Sequence, residues 1–127
     1  MPPTQPPPLV VVIEDDDASR VALGRLLQAD GFQPALFDSA ETFIAAELTC
    51  APLCVFVDMH LPGISGIDLQ IRLRRQESAV PVIVMTADTT PSVRERAERN
   101  GCAAFLSKPF SDDAIMSLVA SLAPSTV

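Results

Sequence analysis

The chain contains no tryptophan, no tyrosine, a single histidine, His60, and three cysteines. Three cysteines cannot all pair with one another, and the N-terminus has neither the positive charge nor the apolar core of a signal peptide. We therefore expect a reducing, cytoplasmic setting. Cys50 and Cys54 are candidate metal ligands by residue type, but the chain has only one histidine to complete the ligand set of such a site. We interpret them, with Cys102, as small apolar core or surface residues.

Long apolar runs and basic residues are also scarce. The longest apolar runs, such as Leu9–Ile13, have five residues, whereas a membrane-spanning helix needs about 20. Nine Lys and Arg stand against 16 Asp and Glu, which gives a net charge of −7. This balance argues against direct nucleic-acid binding and against an anionic membrane surface, but not against a small cation. The length of 127 residues allows one domain, since domains run to roughly 100–200 residues.

What the chain does contain is an alternation of apolar strands with amphipathic helices, repeated five times. Three of the strands are apolar on both faces, which is typical of a parallel sheet covered by helices on both sides. The sequence therefore predicts a single doubly wound α/β domain over residues 9–122, with a flexible Pro-rich lead-in at 1–8 and a tail at 123–127. The predicted strands are 9–13, 32–37, 53–57, 80–85 and 103–107. The predicted helices are 17–30, 39 to about 48, 66–75, 91–100 and 112–122.

Acidic residues stand where two of these strands end. Glu14 and Asp15 follow the first strand, and Asp58 follows the third. The carboxyl ends of parallel strands share one edge, where ligands of such sheets bind, so we expect these carboxylates to converge. Like charges about 4 Å apart cost roughly 4 kcal/mol at an effective dielectric of 20, and a hard cation such as Mg²⁺ would compensate them. Asp16 and Asp17 are interpreted instead as the N-cap and first turn of a helix.

Other residues at the strand ends indicate which class of reaction the site could support. No glycine-rich phosphate loop follows the first strand, which argues against a bound nucleotide, and there is no Ser-His-Asp set. Thr86 follows the fourth strand and Lys108 the fifth. A carboxylate nucleophile beside a metal, a hydroxyl and a lysine is the equipment for phosphoryl transfer to Asp58.

Four segments carry a resemblance to a known family. They are VVVIEDDDASR at 10–20, VFVDMHLPGISG at 55–66, VPVIVMTAD at 80–88 and FLSKPF at 105–110. In this order and spacing, over residues 9–122, the chain resembles the receiver domain of two-component response regulators, and most of all receivers ahead of helix-turn-helix output domains. The resemblance implies a flavodoxin-like fold, a five-stranded parallel sheet in the order 2-1-3-4-5 with five helices.

The resemblance also implies a metal site. Glu14 and Asp15 would form an acidic pocket around Mg²⁺ together with Asp58, and the backbone carbonyl of His60 would complete the ligands from the protein. Glu14 stands where the family most often has aspartate. Its extra methylene group suits a contact to the metal through water better than a direct bond.

For the reaction, the resemblance implies that Asp58 is the phosphoacceptor, taking its phosphoryl group from a sensor histidine kinase or a histidine phosphotransfer protein. Thr86 would bond the phosphoryl group and Lys108 would pair with it. A cis peptide bond before Pro109 would aim Lys108 into the site.

Two further pairs of residues are expected to govern the output. The resemblance implies that movement of the Thr86 hydroxyl vacates space that Phe105 fills by packing alone, because receivers have an aromatic residue three positions before the lysine. This would change the face made by the fourth helix, fifth strand and fifth helix, where an output partner or a second copy of the chain binds. His60 and Asp88 lie two residues beyond Asp58 and Thr86, and we expect their side chains to set the lifetime of the acyl phosphate.

Two alternatives stay open at this point. One is a phosphatase of the haloacid-dehalogenase type. Such enzymes carry a D-x-D motif after the first strand, whereas here Asp58 follows the third strand and His60 stands two residues after it. The other is a receiver-like interaction module that no longer takes phosphate. The leading expectation is a phosphoacceptor that catalyses only its own phosphorylation and dephosphorylation, either standing alone or excised from a transcription factor or a hybrid kinase.

Overall fold

The computed structural model describes residues 7–48, 50–88 and 90–122. Strands and helices alternate along the chain, as predicted; the lead-in up to residue 6 and the tail at 123–127 lie outside the described residues. The strands are β1 (Leu9–Ile13), β2 (Gln33–Phe37), β3 (Cys54–Asp58), β4 (Val82–Thr86) and β5 (Ala104–Ser107). The helices are α1 (Asp17–Ala29), α2 (Ala40–Ala45), α3 (Gly66–Arg75), α4 (Pro91–Arg99) and α5 (Asp112–Leu122).

The five strands form one parallel sheet in the order β2-β1-β3-β4-β5. The expected strand order is therefore confirmed. β3 and β4 are buried along their whole length and β1 along all but its first residue, which is why their sequences are apolar on both faces. Ile13 lies opposite Val57, and Asp58 lies opposite Met85. This register brings the carboxyl ends of three central strands to one level.

The core consists of two layers, one on each face of the sheet. Alternate residues of the central strands point to opposite faces, so that Val11 and Val57 belong to one layer and Val12 and Phe56 to the other. The first layer is completed by α2, α3 and α4, through Ala40, Ile67, Leu69 and Ala97. The second is completed by α1 and α5, through Leu23, Leu27, Ile115 and Val119. No helix within the described residues has the length and apolar character needed to cross a membrane.

Helix boundaries follow local capping chemistry. Asp16 caps α1 by accepting a hydrogen bond of 2.8 Å from the backbone N–H of Ser19, and Ser39 caps α2 in the same manner. Both residues stand where the sequence predicted helix starts. Gly31 follows α1 with a φ of +89°, the left-handed conformation in which glycine commonly ends a helix.

Two predicted boundaries are wrong by two residues or more, and the others agree with the structure to within one residue. The second helix ends at Ala45 rather than near Leu48, because Ala46 turns to extended backbone with ψ at 141°. The fourth strand begins at Val82 rather than at Val80. Pro81 has no N–H to donate to a neighbouring strand, so the regular ladder starts only after it.

Candidate functional site

The carboxyl edge of the sheet gathers three acidic side chains. Glu14 and Asp15 follow β1, Asp58 is the last residue of β3, and their carboxylate oxygens lie within 4.8 Å of one another. Glu14 is buried with 2% of its surface exposed and Asp58 with 9%, while Asp15 is exposed. The structure therefore brings together the three carboxylates that the sequence placed at two strand ends.

Lys108 supplies a cation to this cluster. It follows β5, and its Nζ donates a hydrogen bond of 2.7 Å to Asp58 Oδ2. The same Nζ forms an ion pair with Glu14. The peptide bond between Lys108 and Pro109 is cis. One ammonium group thus serves two carboxylates that would otherwise repel one another.

Asp58 is held as a carboxylate by its neighbours. Burial raises its pKa, but interactions with Lys108, with Glu14 and with the backbone N–H of His60 together outweigh burial and hold the pKa of Asp58 below its usual value. The His60 N–H donates to Oδ1 at 2.8 Å. Both Asp58 oxygens are therefore engaged by donors, and the group is ionised at neutral pH, as a nucleophile must be.

Glu14 behaves in the opposite way. Burial raises the pKa of Glu14 to about 7, although the ion pair with Lys108 acts against the shift. Its Oε2 is buried and has no hydrogen-bond partner within the described part of the chain. An unsatisfied buried carboxylate oxygen costs free energy. This orphaned oxygen, beside two further carboxylates, fits the oxygen donor set of a hard divalent cation.

Thr86 closes the site from β4. It is fully buried, and it lies one residue beyond Met85, the partner of Asp58 across the sheet. Its Oγ1 accepts a hydrogen bond of 3.0 Å from the backbone N–H of Asp88, and its carbonyl accepts one of 2.8 Å from the N–H of Lys108. The hydroxyl hydrogen takes no part in either bond.

His60 and Asp88 meet at the rim of the site. Nε2 of His60 lies 3.8 Å from Oδ2 of Asp88, and 59% and 38% of the two side chains are exposed. Hydrogen bonds from the side chain and backbone of Thr90 hold the pKa of Asp88 below its usual value. The two residues singled out from their spacing are thus close together and open to water.

Phe105 lies further from the acidic cluster, on β5. It is half-buried against the layer that contains α4. The guanidinium carbon of Arg94 sits 5.5 Å from the centre of its ring, within the range of a cation–π contact. Arg94 also forms an ion pair of 2.8 Å with Glu98. The sequence identified Phe105 but gave no sign of its α4 partner.

A second feature missed from the sequence is Arg20. Its Nη1 donates a hydrogen bond of 2.9 Å to the backbone carbonyl of Glu14, and its Nη2 pairs with Asp17. The side chain is only 16% exposed. The spacing of three residues between Asp17 and Arg20 on one helix could have predicted their ion pair. The contact of Arg20 with Glu14 could not have been predicted in this way, because it depends on tertiary packing.

The loop after Asp58 requires a glycine at Gly66. A Cβ atom placed there would lie 2.7 Å from the carbonyl oxygen of Asp58 and 2.9 Å from the Cα of Met59, closer than side-chain carbons approach backbone. The N–H of Gly66 also donates to the carbonyl of Met59 at 3.1 Å. The start of α3 is therefore in direct contact with the backbone of the acidic residue.

Comparison with known proteins gives a consistent result. The sequence profile described as response regulator receiver domain matches residues 10–120. Transcriptional regulatory protein FixJ of Bradyrhizobium diazoefficiens is 37% identical over 104 residues, which are 82% of this chain and 51% of FixJ. Sensory/regulatory protein RpfC of Xanthomonas campestris is 34% identical over 114 residues, 87% of this chain and 16% of RpfC.

A solved structure extends the likeness to three dimensions. The crystal structure of a response regulator receiver protein from Burkholderia phymatum is 37% identical and superimposes with a TM-score of 0.78, covering 91% of this chain and 94% of that one. The curated relatives are longer, and the chain spans about half of FixJ and a much smaller part of RpfC.

Proposed function

The chain belongs to the response regulator receiver domain family of two-component systems, and on this premise we propose that Asp58 accepts a phosphoryl group from a sensor histidine kinase or a histidine phosphotransfer protein. The observation that carries the proposal is the Asp58 carboxyl group at the end of β3, hydrogen-bonded by Lys108 Nζ and by the backbone N–H of His60. A carboxylate held in this form at a strand end is a nucleophile in reach of an incoming phosphohistidine.

The proposed reaction balances without a further reactant. One carboxylate oxygen of Asp58 attacks phosphorus, and a P–O bond forms as the P–N bond to the imidazole of the donor breaks. The imidazole leaves with the bonding pair. The product on this chain is an acyl phosphate, which carries more negative charge than the carboxylate it replaces.

The acidic cluster supports a role for Mg²⁺ in this proposal. Glu14, Asp15 and Asp58 would hold it, with the backbone carbonyl of His60 as a further ligand. When bound, Mg²⁺ supplies positive charge that stabilises the oxygens of the transferring group. The orphaned Oε2 of Glu14 is the feature of the chain that supports a cation here.

The side chains around Asp58 have defined parts in the proposal. Lys108 transfers one of its hydrogen bonds from Asp58 to an oxygen of the phosphoryl group and keeps its ion pair with Glu14. Thr86 donates its hydroxyl hydrogen, which is free in the present bonds, to another oxygen. His60 and Asp88, exposed at the rim, control the approach of the water that hydrolyses the acyl phosphate and so set its lifetime.

The output of the switch is proposed to lie at the face formed by α4, β5 and α5. Phe105 changes its packing there when Thr86 turns toward the phosphoryl group, and the face binds an output partner or a second copy of the chain. The name of FixJ marks it as a transcriptional regulator, which supports a link to transcription. The receiver itself would work in the cytoplasm, contact neither nucleic acid nor membrane, and act as no enzyme beyond its own phosphorylation and dephosphorylation.

Mass spectrometry tests the proposal. After incubation with acetyl phosphate and Mg²⁺, the added mass is expected on the peptide that contains Asp58, and the Asp58→Asn variant is expected to stay unmodified. A label on Ser65 or Thr86 would contradict the mechanism. Steady release of phosphate from a small ester such as p-nitrophenyl phosphate would favour the phosphatase alternative instead.

A further inference from the structure

The positive charge of this acidic chain is concentrated in one part of the fold. Nine Lys and Arg are present in the whole chain, and α3 and α4 hold most of them. Both helices run opposite to the parallel strands, so their last turns lie at the amino edge of the sheet, away from Asp58. We call the basic residues of these last turns the arginine end: Arg72, Arg74, Arg75, Arg96 and Arg99.

Each member of the arginine end is exposed. Within the described ranges, no carboxylate lies at ion-pairing distance from any of them. This includes Glu77, which follows α3 and is itself exposed. Arg20 and Arg94, by contrast, are both paired with acidic side chains. Asp68 and Glu95 stand four residues before Arg72 and Arg99, but Asp68 caps α3 and neither acid forms an ion pair with these arginines within those ranges.

Two residues of the arginine end, Arg74 and Arg75, line a groove between the two helices. The groove has a volume of about 310 Å³ and is lined by Ile71, Arg74, Arg75 and Asn100. Arg74 also donates a hydrogen bond of 3.3 Å to the carbonyl of Arg99, which joins the helix ends. The half-buried Ile71 provides an apolar surface beside the guanidinium groups.

Helix dipoles explain only part of this charge. Arginines in a last turn do stabilise the carbonyl end of a helix, but each helix end carries the equivalent of about half a negative charge. Two ends therefore account for about one of the five positive charges of the arginine end. The remaining charge is available to a partner.

We propose that the arginine end is a docking surface for an acidic segment of another protein. Planar guanidinium groups bind carboxylates in pairs of hydrogen bonds, and Ile71 offers contact to an apolar residue between the acidic ones. A short acidic segment touches only this end of the domain. Duplex DNA fits less well, because a long polyanion would also approach the remainder of a chain whose net charge is −7.

The test is fluorescence anisotropy of the full chain with a labelled peptide of alternating glutamate and leucine. Binding is expected to weaken as salt is added, and Arg75→Glu is expected to weaken it by about tenfold or more. Arg25→Glu is the matched control, because Arg25 is also an exposed helical arginine with no ion pair within the described residues. It is expected to change the affinity by less than about twofold.

Several results would overturn the inference. They are no saturable binding, an equal loss for Arg75→Glu and Arg25→Glu, or tighter binding of a labelled DNA duplex that Arg75→Glu also abolishes. Arg75→Ala provides a second variant if charge reversal unfolds the chain, which circular dichroism would show. Asp58→Asn is expected to bind the peptide as the unaltered chain does, so this outcome is separate from the fate of the phosphoacceptor proposal.

Discussion

At the scale of single residues, the site depends on the side chains of Lys108, Asp58 and Glu14, and the two acids interact with the lysine in different surroundings. Lys108 contacts both Asp58 and Glu14, yet the pKa values of the two acids move in opposite directions. Asp58 also accepts the backbone N–H of His60, whereas Glu14 has one oxygen with no donor in the described part of the chain. The number of donors, more than burial alone, separates the two carboxylates.

This separation predicts a pH dependence of stability in metal-free buffer. An unfolded Glu14 loses its proton near its usual pKa of 4.5, but the folded one retains it up to a pKa of about 7. The folded state therefore binds more protons in this window, and the Glu14 contribution to the free energy of unfolding falls as the pH rises from 4.5 to about 7. Asp58, with a lowered pKa, acts in the other sense and only below its usual value of 3.8.

Urea denaturation at a series of pH values in the presence of a chelator measures this effect. Glu14→Gln keeps the shape of the side chain and removes the titration, so the fall between pH 4.5 and about 7 is expected to become smaller. Asp113→Asn, at an exposed position on α5, serves as the control. A slope that is the same in Glu14→Gln as in the unaltered chain would contradict the assignment.

Removal of the shared cation is expected to be costly. Lys108→Met leaves two neighbouring carboxylates without the ammonium group, and unpaired buried acceptors cost about 1–3 kcal/mol. We expect the free energy of unfolding at pH 7 to fall by about that amount, with Lys108→Arg falling less because it keeps the charge. An unchanged midpoint of urea denaturation for Lys108→Met would show that the ion pairs contribute little.

The sequence predicted which residues meet at this site, but not how their atoms pair. Convergence follows from the strand ends of a parallel sheet, which apolar runs reveal. The double contact of Lys108, the bond from Arg20 to the Glu14 carbonyl and the contact of Arg94 with Phe105 depend on side-chain conformations set by packing. These conformations have no counterpart in the spacing of residues along the chain.

At the scale of secondary structure, α4 is held differently at its two ends. The C-terminal end of α4 is bonded to side chains of α3. Gln70 Nε2 donates a hydrogen bond of 3.2 Å to the carbonyl of Ala97, and Arg74 donates one to the carbonyl of Arg99. At the N-terminal end of α4, Thr90 makes no side-chain cap. The backbone N–H and the hydroxyl of Thr90 bond to Asp88 instead, so the two ends of α4 are held by different parts of the chain.

The Gln70 contact yields a prediction about local opening. Gln70→Leu preserves the volume of this buried side chain and removes the bond to Ala97. A hydrogen bond of this type is worth about 0.5–1.5 kcal/mol, so amides in the last turns of α4 are expected to exchange with solvent up to about tenfold faster. Hydrogen exchange read by NMR measures this. Gln76→Leu, at the exposed end of α3, is the control, and equal exchange in both variants would rule out the proposed tie.

Boundaries were the part of the elements that the sequence predicted least well. The caps Asp16 and Ser39 were identified because their side chains bond to backbone nearby in the chain. The early end of α2 was not predicted, because residues 46–48 contain no glycine or proline and the helix ends only through the extended backbone of Ala46.

At the scale of the whole molecule, folding and cation binding are linked through the edge of the sheet. The three carboxylates are close together only when β1 and β3 are paired, so an unfolded chain has no equivalent site. A ligand that binds only the folded state stabilises it by about 2.7 kcal/mol at about a hundred times its Kd. Cation binding at these carboxylates therefore depends on the pairing of β1 with β3 in the folded sheet.

Thermal unfolding with and without millimolar Mg²⁺ tests this link. The unaltered chain is expected to melt at a higher temperature when Mg²⁺ is present. Asp15→Asn is expected to lose most of that shift while its melting temperature without metal stays nearly the same, because Asp15 is exposed. A shift of equal size in Asp15→Asn would place the cation elsewhere.

The contact between Lys108 and Glu14 spans 94 residues of the chain, and that between Lys108 and Asp58 spans 50. This has a consequence for synthesis on the ribosome. At roughly 5–20 residues per second, both acids are made seconds before the lysine that neutralises them, and the lysine comes with the last strand, at an edge of the sheet. A nascent chain therefore carries the Asp58 and Glu14 carboxyl groups early but lacks the ammonium group that pairs with both until translation of the domain is nearly finished.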